Sequence, residues 1–92
     1  MRSVLITGGS GAFGTACAKR LLAGDATRIV IFSRGEHRQA DLTRELSVDP
    51  SAEWRMRYFI GDVRDRERLR RAMEGTEVVI HAAALKRIEV GA

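Results

Sequence analysis

Three glycines at three-residue spacing, Gly8, Gly11 and Gly14 within Thr7-Gly8-Gly9-Ser10-Gly11-Ala12-Phe13-Gly14, restrict the fold of this chain more than any other feature. A β-branched run over residues 2–7 leads into them. A segment with Phe13, Ala16, Cys17, Leu21 and Leu22 at helical spacing leads out toward Gly24. A glycine repeat alone is a weak signal, but one set between a strand and a helix marks the first turn of a βαβ unit. There Gly8 permits a tight bend, Gly11 keeps side-chain atoms away from an approaching pyrophosphate, and Gly14 lets the helix pack close to the strand. The helix N-terminus adds free N–H donors and a partial positive charge for phosphate oxygens. Thr7, Gly8, Ser10, Gly11, Ala12, Phe13 and Gly14 are thus the expected phosphate-side residues. The competing reading is a structural glycine turn without a ligand.

The remaining pattern alternates strand and helix with short connections, which signals a parallel sheet with crossover helices. Residues 28–33 read as a second strand, without polar alternation because both of its faces are covered. A helix over residues 36–46 is expected to bury Ala40, Leu42, Thr43 and Leu46 before Asp49-Pro50-Ser51 ends it. Residues 56–60 are the third strand. Asp65 is placed to cap a helix with Leu69, Ala72 and Met73 facing inward, Gly75 stops it, and residues 77–81 are the fourth strand. Right-handed crossovers then give an α/β, Rossmann-type parallel sheet with strand order 3-2-1-4 and helices on both faces. Ligand space lies at the carboxyl ends of strands 1 and 4, where the winding reverses. With only 92 residues, the chain is expected to be a single half-domain over residues 1–92, the first half of a doubly wound domain truncated before any catalytic and substrate regions. Its strand 4 edge offers a route to a homo-oligomer.

The end of strand 2 discriminates between cofactors. An acidic residue there holds the ribose 2′-OH of NAD and repels a 2′-phosphate. This chain has Ser33-Arg34 instead, with Arg38 one helical turn further on, a hydroxyl and two guanidinium groups suited to a phosphomonoester. NADP is therefore favoured over NAD. Asp62 and Val63, just past strand 3, are candidates for holding adenine, although Asp62 could also cap the next helix. Ala82, Ala83 and Ala84 after His81 offer small side chains where a cofactor passes close to the backbone. His81 itself reads as a packed or hydrogen-bonded histidine and not as a base.

Composition excludes several classes. The apolar runs are far shorter than the roughly 20 residues of a membrane span, and no signal peptide is apparent. A lone cysteine, Cys17, reads as a small core residue in a cytoplasmic protein. The net charge of +4, with fourteen arginines against two lysines, invites a polyanion reading. Residues 64–71, however, interleave five arginines with Asp65 and Glu67 and carry no aromatic for base stacking, so a solvated, ion-paired face is expected and no nucleic acid partner.

Taken together, the glycine run, Ser33-Arg34, Phe59-Ile60-Gly61-Asp62-Val63-Arg64-Asp65 and His81-Ala82-Ala83-Ala84-Leu85-Lys86 resemble the NADP-dependent UDP-N-acetylglucosamine 4,6-dehydratases. These are inverting, polysaccharide-biosynthesis members of the extended short-chain dehydrogenase superfamily. The resemblance covers nearly the whole chain. It implies NADP as cofactor, a UDP-sugar as substrate only if the rest of the enzyme is present, and a place for Lys86 near the active-site mouth. Family members also carry a Tyr-x-x-x-Lys pair, an Asp-Lys pair and a C-terminal sugar-nucleotide domain. None is found here: the one tyrosine, Tyr58, is followed four residues later by Asp62, and Arg87 to Ala92 departs from the family pattern. No catalytic residue and no metal site is expected, and these 92 residues alone are expected to be inactive. The alternatives are a stand-alone dinucleotide-binding or interaction module, and a fragment of a related sugar-nucleotide epimerase or reductase.

Overall fold

The computed structural model describes residues 2–8 and 11–81. The elements run β1 (Ser3–Thr7), α1 (Ala12–Ala23), β2 (Arg28–Ser33), α2 (Glu36–Leu46), α3 (Ala52–Arg55), β3 (Met56–Ile60), α4 (Arg66–Met73) and β4 (Val78–His81). All strand pairs are parallel, in the order β3-β2-β1-β4. Thr7 stands level with Phe32 on one side and His81 on the other, and Ser33 is level with Ile60. Every strand therefore ends on the same rim of the sheet. No described helix is long and apolar enough to cross a membrane.

Side chains alternate along the strands and build a core on each face. Val4, Ile6, Ile29, Ile31 and Met56 pack with Ala18 and Leu22 of α1, Leu42 and Leu46 of α2, and Ala52 of α3. Leu5, Val30 and Phe32 pack on the other face with Ala72 of α4, supported by Leu69, Phe59 and Val79. β1 is buried throughout, and β2 is buried from its second residue onward, as coverage on both faces requires.

Four local expectations need correction. In α1 the buried stripe is Gly14, Ala18 and Leu22, flanked by Cys17 and Leu21, while Phe13 and Ala16 lie exposed to one side. In α2 the inward residues are Gln39, Leu42 and Leu46; Ala40 and Thr43 are exposed, because a stripe at i, i+3 and i+7 passes between them. Met73 is 39% exposed, since Ala72 already occupies the inward position of a narrow contact. The segment before β3 contains a helical turn, α3, where only a punctuated loop was expected.

That turn carries a structural device. Arg55 donates through Nε to the carbonyl of Ala26 at 2.7 Å and through its terminal nitrogens to Leu22 at 3.0 Å, Leu21 at 3.2 Å and Gly24 at 3.0 Å, with Ser51 Oγ at 2.8 Å. The last carbonyls of a helix have no partner within it. One guanidinium therefore closes the C-terminus of α1 and locks it to the start of β2.

Gly61 is the second point of tension. A Cβ there would lie 2.7 Å from Phe32 Cζ and 2.9 Å from Arg68 Cγ. Phe32 is fully buried, and Arg68 is held by a 2.9 Å bond from its Nε to the Ile60 carbonyl and by its place over the Phe59 ring. Neither neighbour can yield. Two stability measurements check these assignments by thermal melting. Arg55→Met should cost about 2 kcal/mol, a fall in Tm of roughly 8–16 °C, because it strips hydrogen bonds made by a charged group. Gly61→Ala should cost about 1–3 kcal/mol through overpacking, whereas alanine at Gly11, where a Cβ would meet no described residue nearer than 3.9 Å, should melt near wild type.

Candidate functional site

The rim at the carboxyl ends of the strands gathers the functional candidates. β1 runs straight into Gly8, whose φ of +69° lies in the left-handed region that favours glycine. Its N–H donates to the Phe32 carbonyl at 2.8 Å, so the turn is pinned to β2 before the chain reaches α1. Gly11 is the N-cap of α1 in extended geometry. Among the described residues no side chain caps that terminus, and its first turn holds no acidic residue. Thr15 turns its hydroxyl back onto the Gly11 carbonyl at 2.8 Å. The leading N–H groups of α1 thus remain available to an anion.

Gly14 is buried against the sheet, Ala12 is exposed, and Phe13 is 49% exposed beside the turn. Thr7 is buried, with its Oγ1 2.8 Å from His81 Nδ1. That bond ties the ends of β1 and β4 together at the reversal of winding, and it gives His81 the hydrogen-bonded role expected of it. Ser10, Ala82, Ala83, Ala84 and Lys86 lie outside the described residues.

A groove of about 240 Å³ separates the start of α1 from α2, lined by Gly11, Ala12, Thr15, Arg38, Asp41, Leu42 and Glu45. Its two carboxylates are balanced: Asp41 pairs with Arg44 at 3.2 Å and Glu45 with Lys19. Arg38 shares that groove, whereas Arg34 is drawn toward the β3 loop, its guanidinium 3.4 Å from Asp62 Oδ2. Ser33 is 7% exposed at the end of β2.

One residue here escaped the reading of the sequence. Gln39, 3% exposed on α2, donates from Nε2 to Ser33 Oγ at 2.8 Å, to the Phe59 carbonyl at 2.8 Å and more weakly to the Ser33 carbonyl at 3.4 Å. It ties α2 to the ends of β2 and β3. The available signal was a polar residue three positions before Leu42 on the apolar stripe of a helix.

Asp62 is committed locally. Its Oδ1 accepts from the Arg64 backbone N–H at 2.9 Å, and its Oδ2 accepts from an Arg64 terminal nitrogen at 2.8 Å. Hydrogen bonds from Arg64 hold its carboxyl well below the usual carboxylate range, and Arg64 is raised in turn. Val63 beside it is 49% exposed. Asp65, not Asp62, caps α4, accepting from the Arg68 N–H at 3.2 Å. Tyr58 lies on β3, at the opposite side of the sheet from β4, and burial pushes its phenol up. The structure thus sets Gly8, Gly11 to Gly14, Ser33 and Arg38 around one end of α1 and α2, and sets Asp62, Val63 and Arg34 at the adjoining loop. Among the described residues no group of three His, Cys, Asp or Glu is placed to hold a metal ion.

Comparison with known proteins agrees with this architecture. UDP-N-acetylglucosamine 4,6-dehydratase (inverting) of Campylobacter jejuni is 43% identical over 90 residues, covering 97% of this chain and 25% of the relative. UDP-glucose 4-epimerase of Rickettsia felis is 41% identical over 91 residues, covering 95% of this chain and again 25% of the relative. The X-ray structure of Pen from Bacillus thuringiensis superposes with a TM-score of 0.75 at 33% identity, over 85% of this chain and 22% of that one. The chain therefore spans about a quarter of the length of the curated relatives it matches. Residues 4–91 match the polysaccharide biosynthesis protein family, and the chain belongs to that family.

Proposed function

We propose that this chain is the NADP-binding segment of a UDP-sugar 4,6-dehydratase of polysaccharide biosynthesis, the half-domain that holds the cofactor while other parts of the enzyme hold the sugar. The observation that carries the reading is the uncapped N-terminus of α1 opposite a strand end that presents Ser33 and Arg34, with Arg38 in the adjoining groove. Backbone donors at a helix N-terminus suit a pyrophosphate. The space at Gly11 fits a ligand's approach, since among the described residues a Cβ there would meet nothing nearer than the Gly8 carbonyl at 3.9 Å.

The fit favours the phosphorylated dinucleotide on charge. No carboxylate stands at the end of β2, and the two acids of the groove are already paired. Arg34 holds Asp62 only at 3.4 Å, so it can turn to a 2′-phosphate at small cost, and Arg64 still neutralises Asp62 when it does. A bound nicotinamide dinucleotide supplies reversible hydride transfer. The described residues contribute binding and orientation: α1 receives the pyrophosphate, Arg34 and Arg38 the 2′-phosphate, Val63 a wall for the adenine. The identity to the Rickettsia epimerase supports a second reading, a sugar-nucleotide 4-epimerase with the same cofactor end.

Calorimetric titration and thermal shift with NADP and NAD test this directly. NADP should raise Tm more than NAD does, and Arg34→Ala should weaken NADP about tenfold while leaving NAD within about twofold, the size of one charge-assisted contact to phosphate. Equal responses to the two dinucleotides, or none, would overturn the proposal.

A further inference from the structure

We infer that Gln39 is a positioning residue that fixes the hydroxyl of Ser33 as a hydrogen-bond donor and thereby makes the end of β2 select an acceptor-only 2′-phosphate over a 2′-hydroxyl. The inference rests on the proposed dinucleotide site and names a residue that acts on it without touching the ligand.

The Phe59 carbonyl can only accept, and it lies 2.8 Å from Gln39 Nε2, so that atom is the amide nitrogen. Its two hydrogens serve the two short bonds, one to Phe59 O and one to Ser33 Oγ, also at 2.8 Å. An amide nitrogen cannot accept in return. Ser33 Oγ is therefore the acceptor in this pair, and its own proton must go elsewhere.

Among the described residues no acceptor receives that proton, although Ser33 is more than nine-tenths buried. A buried donor left without a partner is costly, so a ligand oxygen that takes the proton gains more than it would from a freely rotating surface serine. A ribose hydroxyl can take that proton only as a neutral acceptor. A phosphomonoester offers oxygens that only accept, and its charge strengthens the bond.

Gln39 is itself held in place. It lies on the inward stripe of α2 with Leu42 and Leu46, and its reach to Phe59 crosses from β2 to β3. Rotation of the amide would set its oxygen against the Phe59 carbonyl, so the orientation has no alternative at that position.

The test uses 2′,5′-ADP and 5′-ADP as probes, titrated calorimetrically into the chain and its variants. Wild type should prefer 2′,5′-ADP. Gln39→Met keeps length and apolar packing but removes the donors; the preference should fall about tenfold, with 5′-ADP affinity within about twofold of wild type. Ser33→Ala leaves the Gln39 to Phe59 bond intact, keeps the fold testable if Gln39→Met melts, and should lose the same preference. The double variant should match Ser33→Ala alone, because Gln39 acts through that hydroxyl. Equal loss of both probes in Gln39→Met, or effects of the two substitutions that multiply, would overturn the inference while leaving NADP binding standing. No preference in wild type would remove the NADP reading and the inference together.

Discussion

Parallel pairing of β1 between β2 and β4 is the constraint on which the rest of the molecule depends. Parallel strands must all end on one rim, and the chain must cross a face of the sheet between them. Thr7, Ser33, Ile60 and His81 are brought together for that reason, although dozens of residues separate them in sequence. The central strands are held by burial of Val4, Leu5, Ile6, Ile29, Val30, Ile31 and Phe32, each at 2% exposure or less and each contributing about 1.5–3 kcal/mol. The bond from Gly8 N–H to the Phe32 carbonyl then extends the sheet one residue past β1 and aims α1 back along it. The same bend that closes the crossover leaves the helix terminus facing the rim.

Charge has a different use from the one suggested by composition. Arg28, Arg55, Arg57 and Arg68 all donate to backbone carbonyls, at Glu74, at the end of α1, at Trp54 and Met56, and at Ile60. A planar guanidinium with several fixed donors suits that task better than an ammonium group, which accounts for arginine where lysine would carry the same charge. Much of the excess that reads as polyanion affinity is thus a set of structural clasps. Arg34 and Arg38 differ in standing at the rim, where a phosphate could reach them.

The sheet order, the four strands and the helix carrying the glycine turn were legible in the sequence, because each rests on a local rule. Continuous apolar runs such as Ile29 to Phe32 indicate strands covered on both faces, and Asp65 before Arg66 marks a helix start. Chain-distant partners were not legible. Arg55 looks like one more surface charge until its place beneath the end of α1 is known, and Gln39 looks like a solvated helix residue until Ser33 and Phe59 are found beside it. The tilt of α1 and α2 on the sheet could not be read either, which is why Phe13, Ala16, Ala40 and Thr43 fall outside the buried stripes. Asp62 was legible as a loop carboxylate at the site's edge, but its capture by Arg64 depends on the turn between them.

Residue-resolved NMR of the labelled chain titrated with NADP tests whether the rim beside α1 receives a dinucleotide. The largest amide shifts should fall on Gly8, on Gly11 to Gly14 and on Ser33 to Arg38, with smaller ones at Asp62 and Val63. Shifts concentrated on α4, or at Gly24 to Thr27 beside Trp54 on the opposite end of the sheet, would contradict it.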